Sequence, residues 1–213
     1  MKIVSLNVAR PAVVKWRGEE VTTSIFKEPV TGTRAVRRHN IEGDEQADLE
    51  VHGGELKAIY AYAAEHYPFW RNELGREDLS PGMFGENLTV EGGLLEEEVF
   101  VGDRFRVGTA TLMAIQPRMP CYKLGIRFGN QKILKQFTQA RRYGIYFSIV
   151  EEGMVGTGDE IELVQKSPYH VSIRDIGRII LDGTDDVDLI RRASAIPVLP
   201  RNFLAHFQKL LEG

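Results

Sequence analysis

Glycine divides most of this chain into short segments that are rich in Val, Ile, Phe and Thr. The 213 residues include 21 glycines, and this composition between glycine turns is typical of strands. Apolar and polar residues alternate in several segments, as in Phe105, Arg106 and Val107, which favours a sheet with one buried and one wet face. We therefore expect a mainly β body, either a barrel or a sandwich. The predicted strands are Lys2 to Val8, Val21 to Phe26, Leu88 to Val90, Val99 to Val107, Thr109 to Gln116, Gly144 to Val150 and Glu160 to Val164.

Length and charge exclude several classes of protein. A chain of 213 residues can bury about two-thirds of its unfolded surface in a core, so we do not expect a disordered protein. The formal net charge is −3, which gives no overall attraction to nucleic acid or to an anionic membrane. No apolar run approaches the ~20 residues of a membrane helix, and the first residues lack the apolar core of a signal peptide. We expect a cytoplasmic protein.

The stretch from Leu56 to Leu74 carries two periodicities. Alternation over Lys57 to Tyr62 favours a strand, whereas the apolar residues farther on are spaced as in a helix. Proline is tolerated in the first turn of a helix but not in its interior. With Pro68 in that first turn, we predict a strand that ends at about Tyr62 and a helix that begins near Ala64.

The character of the chain changes after Val164, where a polar segment interrupts the glycine-punctuated strands. We predict one domain over residues 1–164 and a second, of three helices, over residues 169–213. Ser172 and Asp175 have the spacing of a helix capping pair. Three helices of this size bury little apolar surface alone, so we expect them to dock on the β body or on a partner subunit. The predicted helices are Ser172 to Gly183, Asp185 to Ala195 and Pro200 to Leu211.

The loop after one predicted strand carries the only cysteine of the sequence. One thiol excludes an intramolecular disulfide and a multi-cysteine zinc site. Pro117 and Pro120 stiffen the loop, and a helix that begins after Pro120 would place Cys121 in its first turn, where free backbone N–H groups favour a thiolate. Arg118 and Lys123 add positive charge nearby. Cys121 is therefore a candidate nucleophile or soft-metal ligand; the alternative is a buried, inert cysteine.

A second cluster joins His52, Gly53, Gly54 and Lys57. Paired glycines let a backbone approach a ligand closely and expose amides to an anion. His52 and Lys57 can donate further hydrogen bonds, so the cluster is a candidate phosphate cradle. The alternative interpretation is a plain turn with a structural histidine.

Three further segments carry polar groups. Asn87 follows a glycine-bracketed loop and can donate and accept hydrogen bonds at the edge of a heterocycle, unless the loop only caps the barrel. Arg141 and Arg142 form either an anion clamp or a solvated basic pair. Residues Glu96 to Glu98 are predicted to be a solvated surface run. The sequence contains neither the G-x-S-x-G motif of serine hydrolases nor the H-E-x-x-H motif of zinc proteases. It also lacks a phosphate-binding loop that ends in Gly-Lys-Ser/Thr.

Taken in order, five segments resemble MOSC domains, the type found at the C-terminus of molybdenum-cofactor sulfurases. These segments are VHGGELKAIYAYAAEHYPFW, PGMFGENLTVEG, VGDRFRVG, QPRMPCYKLG and YGIYFSIVEEGMVGTGDEIEL. The resemblance covers nearly all of residues 1–164. The C-terminal region is similar to the three-helix extension of bacterial MOSC proteins associated with resistance to 6-N-hydroxylaminopurine.

The resemblance implies a β-barrel-like domain with a few helices and a pocket for molybdopterin, the organic part of the molybdenum cofactor. Cys121 occupies the position of the family's cysteine, which ligates molybdenum in members that hold the cofactor. The residues implied to surround the pterin, its phosphate or the metal are His52, Gly53, Gly54, Lys57, Asn87, Arg118 and Lys123.

The activity that the resemblance implies is two-electron reduction of a small N-hydroxylated substrate such as 6-N-hydroxylaminopurine. The sequence has no flavin or nicotinamide fingerprint and too few cysteines for an iron–sulfur cluster, so we expect electrons from a partner reductase. The pyridoxal-phosphate-dependent domain of cofactor sulfurases has no counterpart in the sequence. We expect no nucleic-acid or membrane partner. The helical tail is a candidate homodimer surface, pocket cover or reductase docking site.

Three alternative functions fit the same residues. A binding module could carry the cofactor or its sulfur, with Cys121 as a tether or a persulfide. A thiol-nucleophile hydrolase would need Cys121 and His52 within hydrogen-bond reach. The last alternative is a family member that retains only the scaffold.

Overall fold

The computed structural model describes residues 1–47 and 54–212. Numbered in chain order, the strands are β1 (Lys2–Val8), β2 (Ala12–Trp16), β3 (Glu19–Thr23), β4 (Glu28–Pro29), β5 (Thr33–Arg37), β6 (Asn40–Ile41), β7 (Ile59–Ala63), β8 (Leu88–Glu91), β9 (Arg104–Val107), β10 (Ala110–Pro117), β11 (Ile145–Glu151), β12 (Gly153–Gly156) and β13 (Ile161–Gln165). The helices are α1 (His66–Leu74), α2 (Tyr122–Phe128), α3 (Lys132–Ala140), α4 (Ile173–Gly177), α5 (Val187–Ser194) and α6 (Arg201–Glu212), with a 3-10 helix at Glu55–Lys57 and a π-helical turn at Arg178–Asp182.

One large sheet organises the fold, in the strand order β13-β9-β10-β11-β7-β8-β1-β4. Strands β7 and β8 pair in parallel, and the other ladders of this sheet are antiparallel. Two small sheets, β12-β5-β6 and β2-β3, lie beside it. On β9, Phe105 and Val107 are buried and Arg106 is exposed. The alternation in the sequence therefore predicted the buried face of this strand correctly.

The mainly β body with helices is confirmed, but the large sheet is not a closed barrel. Within the described residues its strand order ends at β13 on one side and at β4 on the other. The amide of Ile3 donates to the Asp159 carbonyl at 2.9 Å, and the Gly158 amide donates to the Ile3 carbonyl at 2.8 Å. An isolated bridge between Lys2 and Glu160 accompanies them. The sheet therefore curls until β1 approaches the start of β13, without a continuous ladder.

The change from strand to helix predicted between Leu56 and Leu74 is confirmed. Strand β7 ends at Ala63, α1 begins at His66, and Pro68 lies in the first turn of the helix. A proline there lacks only an N–H that the helix would leave unpaired in any case. The helix ends at Leu74, and the C-cap residue Gly75 has a left-handed φ of 60°.

The C-terminal helices form where the sequence predicts them. The Asp175 amide donates to Ser172 Oγ at 3.1 Å, and the Ser172 amide donates to Asp175 Oδ2 at 3.0 Å, which completes the predicted capping pair at the start of α4. Buried residues of this region, such as Ile176 and Phe207, belong to the same apolar cluster as Phe147 of the large sheet. The helices therefore dock on the β body, and the domain boundary after residue 164 stays a prediction.

Two strand predictions differ from the structure. The segment predicted from Val99 to Val107 is a strand only from Arg104, because Gly102, at a φ of 95°, makes a turn in which the Asp103 carboxylate accepts the Phe100 amide at 2.9 Å. Of the segment predicted from Val21 to Phe26, only Val21 to Thr23 form a strand, as the end of β3, which pairs with β2 in a hairpin. In the described residues no helix is long and apolar enough to cross a membrane.

A second apolar cluster is aromatic and lies beside α1, α2 and α3. It includes Tyr62, Trp70, Phe84 and Phe137, and the rings of Tyr62 and Phe84 stack at a centroid distance of 4.7 Å. The Trp70 indole N–H donates to the Tyr62 hydroxyl at 2.6 Å. This satisfied polar contact helps to fix the ring packing. The cluster supports the candidate site because it also contains Tyr60, which faces a cleft.

Candidate functional site

A cleft lies where β10 ends and α2 begins. Cys121 is the N-cap of α2, with an extended φ of −126°, and is partly exposed. It lies one residue before the first helical residue, at the helix end where backbone amides lack partners. Pro117 ends β10 because it has no N–H to continue a ladder. The described lining of the cleft includes Lys27, Asp44, Lys57, Tyr60, Asn87, Arg118, Cys121, Lys123 and Tyr146.

Arg118 is the most unusual group in the cleft. Arg118 is only 5% exposed, yet its Nη1 atom has no hydrogen-bond partner among the described residues. The guanidinium carbon lies 5.3 Å from the ring centroid of Tyr60 and 5.6 Å from that of Phe137, so two aromatic faces hold it by cation–π contact. Arginine stays charged at any ordinary pH, and a buried charged donor without an acceptor is costly. Arg118 therefore offers a fixed, unused donor to a ligand.

The charge of the described cleft lining is positive. Four cationic side chains, those of Lys27, Lys57, Arg118 and Lys123, lie with two carboxylates, those of Asp44 and Glu45. Asp44 is engaged by Lys27, and Glu45 is exposed and lies 3.7 Å from an Arg10 nitrogen. The cleft measures about 90 Å³, which is room for one small anionic group. The balance of charge favours such a group.

A hydrogen-bonded network forms the floor of the cleft around Asp44. Asp44 Oδ1 accepts a short hydrogen bond from Lys27 Nζ and another from the Ala9 amide at 2.8 Å. Asp44 Oδ2 accepts from the Asn87 side-chain amide at 2.9 Å. Burial lowers the pKa of Lys27, although Asp44 opposes this shift. The network presents a buried ammonium group whose proton is held less tightly than that of a solvated lysine.

Asn87 joins the cleft floor to two strands. Its Oδ1 accepts the Tyr60 amide at 3.1 Å, and its Nδ2 donates to the Asn7 carbonyl at 3.4 Å as well as to Asp44. Both N–H groups of the side chain are therefore used within the protein. In this structure Asn87 positions the cleft floor and has no donor left for a heterocycle.

The structure brings together most of the site residues that the sequence singled out. Gly54 does not line the cleft: it is exposed and precedes the 3-10 helix with a φ of 92°. His52 and Gly53 lie outside the described residues, so their part in a phosphate cradle stays a prediction, as does a catalytic pair of Cys121 and His52. The predicted residues that do line the cleft are Lys57, Asn87, Arg118, Cys121 and Lys123.

Sequence reasoning missed Lys27, Asp44, Tyr60 and Tyr146, all of which line the cleft. Lys27 and Asp44 are separated by 17 positions in the sequence and meet only in the folded chain. Tyr60 and Tyr146 come from neighbouring strands, and their ring centroids lie 5.1 Å apart. Tyr60 and Tyr146 lie within segments that carry the family resemblance, but nothing in those segments singled them out, and Lys27 and Asp44 lie outside these segments.

The glycine-bracketed loop over residues 81–87 is built around Glu86. This fully buried carboxylate accepts the amides of Gly82 at 2.9 Å and Phe84 at 3.1 Å, and the hydroxyl of Thr89 at 2.9 Å. Tyr67 donates a further, short hydrogen bond to it. Burial raises the pKa of Glu86 in spite of these donors. The loop is therefore mainly structural, and it positions Asn87 at the cleft.

The prediction that Glu96 belongs to a solvated surface run is wrong. Glu96 is fully buried and accepts the Gly144 amide at 2.6 Å and His66 Nε2 at 3.0 Å. Arg142 Nη1 lies 2.9 Å from His66 Nδ1 and stacks on Phe69, with its guanidinium carbon 4.5 Å from the ring centroid. Since an arginine can only donate, Nδ1 accepts and Nε2 carries the proton. Arg142 is thus neither an anion clamp nor a solvated cation.

The cleft has one soft donor for a metal. The described residues contain no group of three or more His, Cys, Asp or Glu side chains placed to hold a metal ion by themselves. A metal bound by Cys121 would therefore need further ligands from outside the described residues. A cofactor that brings its own metal ligands and an anionic group meets this requirement, and Arg118 offers the unused donor for the anion.

Comparison with known proteins places these features in a family. A family model described as MOSC domain matches residues 48–162. The protein YflK of Bacillus subtilis, described as uncharacterized, is 39% identical over 207 residues, covering 97% of this chain and 93% of the relative. The crystal structure of YiiM from Geobacillus stearothermophilus has a TM-score of 0.82 at 33% identity, covering 99% of this chain and 98% of that one.

A more distant relative is part of a longer protein. A protein of Gibberella moniliformis named Reductase is 32% identical over 184 residues, which cover 85% of this chain but only 32% of the relative. The similarity therefore concerns about a third of that protein.

Proposed function

Because the chain belongs to the MOSC domain family, we propose that its cleft binds the molybdenum cofactor and that the protein reduces small N-hydroxylated substrates. The observation that carries this proposal is the buried Arg118 guanidinium, whose Nη1 lacks a partner in the described residues beside the partly exposed Cys121. A cysteine sulfur and an unused cationic donor in one cleft suit a soft metal whose cofactor carries an anionic group. The name of the fungal relative, Reductase, supports the class of reaction.

Each cleft residue has a distinct role toward the cofactor. Cys121 Sγ is the metal ligand that the protein provides. Arg118 and Lys123, both buried, would hold the anionic groups of the cofactor, and Lys57 lines the same cleft. When bound, the cofactor supplies two-electron chemistry at molybdenum. The aromatic faces of Tyr60 and Phe137 keep the Arg118 guanidinium in place and exclude water from it.

The reaction consumes protons that the protein has to deliver. Reduction of R–NH–OH to R–NH2 and H2O takes two electrons and two protons, and the N–O bond breaks. Lys27 Nζ is a buried proton-bearing group of the cleft, and its lowered pKa makes it a better donor than a solvated lysine. Asp44 and Asn87 hold Lys27 in one orientation through the cleft floor.

The electrons come from a partner reductase, since the sequence carries no flavin, nicotinamide or iron–sulfur signature of its own. The helices α4 to α6 bury their apolar residues on the β body. Their exposed side remains a candidate docking site for the reductase or for a second copy of the chain.

Metal analysis and pterin fluorescence test the proposal on protein expressed in molybdate-replete cells. We expect molybdenum and pterin to co-purify in equal amounts with the wild type and the metal to be lost from Cys121→Ala. The matched control is Ser24→Ala, which also lines the cleft but has no thiol. Metal-loaded protein should then reduce 6-N-hydroxylaminopurine with an artificial electron donor.

Two results would reject parts of this proposal. Wild-type protein that stays empty although the cells make ample cofactor would contradict cofactor binding. Stoichiometric molybdenum without reduction of any N-hydroxylated compound would favour the alternative function, a carrier that hands the cofactor or its sulfur to other enzymes.

A further inference from the structure

A groove lies next to the cleft along strand β11. Tyr146 lines the cleft and Ser148 lines the groove. Residues two positions apart on a strand point to the same face, about 7 Å apart. The 3-10 helix separates the two spaces, because Leu56 faces the groove while Lys57 faces the cleft. The groove is therefore a neighbour of the cleft with a lining of its own.

The groove is closed on its far side by the segment before α6. Pro197, Val198 and Leu199 form this wall, and Met113 and Ile149 of the sheet face them. The space measures about 470 Å³, which lies in the range of about 300–1,000 Å³ typical of small-molecule sites. Most of the lining is apolar, so the groove suits a hydrocarbon or aromatic body.

The polar side chains that line the groove are few, and most of them form no ion pair or hydrogen bond within the described residues. Ser148 is 8% exposed, and its hydroxyl forms no hydrogen bond within the described chain. Arg104 and Arg201 also line the groove, and neither belongs to an ion pair of the described residues. The one carboxylate in the lining, that of Glu55, pairs with Arg38. The groove therefore presents two uncompensated guanidinium groups and a buried hydroxyl.

Helix α6 adds to the positive potential of the groove. It has 12 residues, begins at Arg201 and carries no acidic residue in its first turn. The N-terminal end of a helix attracts negative charge through its dipole and its unpaired amides. The dipole and the two arginines thus favour an anion in this mostly apolar groove.

We propose that this groove is a second binding site, for a free amphipathic anion with an apolar chain or ring and one carboxylate or phosphate head. The apolar body lies between the sheet residues Met113 and Ile149 and the Val198 segment. The head meets Arg104 and Arg201, and Ser148 donates or accepts a hydrogen bond along the groove. The site is independent of the cofactor proposed for the cleft.

Calorimetric titration with decanoate tests the site on the full-length protein. We expect one decanoate to bind per chain, and binding to weaken at least about tenfold in the double variant Arg104→Gln/Arg201→Gln, because charge-assisted contacts to the head are lost. Decanol and decyltrimethylammonium should bind much more weakly than decanoate. Arg106→Gln is the matched control, since Arg106 lies on the same strand as Arg104 but already pairs with Glu162.

Several outcomes would overturn the proposal. If the double variant binds decanoate as tightly as the wild type, or if decanol binds as tightly as decanoate, the arginines do not recognise the anionic head group. Loss of binding in Arg118→Gln would place the ligand in the cleft instead. Binding to phosphatidylglycerol vesicles without binding of free decanoate would identify a membrane surface as the source of the anion. Thermal unfolding of each variant ensures that lost binding is not lost folding.

Discussion

Lys27 and Asp44 form a buried ion pair on the floor of the cleft, with side chains that are 9% and 2% exposed. The second oxygen of Asp44 accepts the Asn87 amide, so the carboxylate orients both neighbours. A buried pair of this kind gives specificity to a site rather than large net stability, because desolvation offsets much of the attraction. Removing one partner of the pair, however, leaves the other as a buried charge without a counter-charge.

Replacing Asp44 by Asn should therefore destabilise the protein. We expect a loss of about 3 kcal/mol in the free energy of unfolding, since Lys27 would remain buried without a counter-charge. The double variant Lys27→Met/Asp44→Asn should lose less than the sum of the single variants. Urea denaturation of the four proteins measures this coupling. Glu152→Gln is the control, because its exposed pair with Arg37 should contribute under about 1 kcal/mol. Additive losses would contradict the coupling.

Glu96 should make stability depend on pH in the acid range. Burial acts to raise the pKa of Glu96, but hydrogen bonds from His66 and Gly144 outweigh it and leave the pKa lowered. The unfolded chain therefore binds more protons, and stability rises with pH through this window. Ionised Glu96 stabilises the folded protein fully above the ordinary glutamate pKa of about 4.3. This stabilisation is lost as pH falls through the lower pKa that Glu96 has in the folded protein. Glu96→Gln should be less stable than the wild type at neutral pH.

Urea denaturation at several pH values checks this prediction. The difference in unfolding free energy between wild type and Glu96→Gln should be largest near neutral pH and should shrink below about pH 4. A difference that stays constant down to about pH 3 would mean that folding does not lower the pKa of this carboxyl group.

Gly144 should tolerate no side chain. It has a φ of 66°, and an added Cβ would lie 2.6 Å from the Ala61 carbonyl oxygen. Gly129 also has a φ of 66°, but an added Cβ there meets nothing within 4 Å. Gly129→Ala should cost about 1–2 kcal/mol for the left-handed backbone alone. Gly144→Ala should cost clearly more, and equal losses in chemical denaturation would show that the strand shifts to make room.

Arg118 should govern retention of the cofactor proposed above. We expect Arg118→Gln to retain at least about tenfold less pterin than the wild type after gel filtration, because a charged hydrogen bond contributes about 1.5–3 kcal/mol. The matched control is Arg127→Gln, which removes an arginine that also stacks on an aromatic ring, that of Phe26, outside the cleft lining. Equal retention by both variants would argue against an anion at Arg118.

The sequence predicted the local elements well. Periodicity and proline placement located β7 and α1, and the capping pair of Ser172 and Asp175 located α4. The surroundings of Cys121 predicted its place at the start of a helix, which the structure puts one residue later. These features depend on backbone geometry and on residues close together in the chain, so the sequence determines them directly.

Only the tertiary structure decided which polar groups are buried and which meet. Glu96 follows the pattern of a solvated acidic run, yet it is buried because its partners His66 and Gly144 lie 30 and 48 positions away. Lys27 and Tyr146 both line the cleft, although they are far apart in the sequence. The residues around each of them do not indicate that the two side chains meet there. Burial and long-range pairing depend on how the sheet curls and how its helices cover it, and a solvated residue and a paired buried one have the same local pattern. The sequence by itself therefore determined the strands, the helices and the cysteine at a helix start, whereas the cleft floor and the adjoining groove exist only once distant segments pack together.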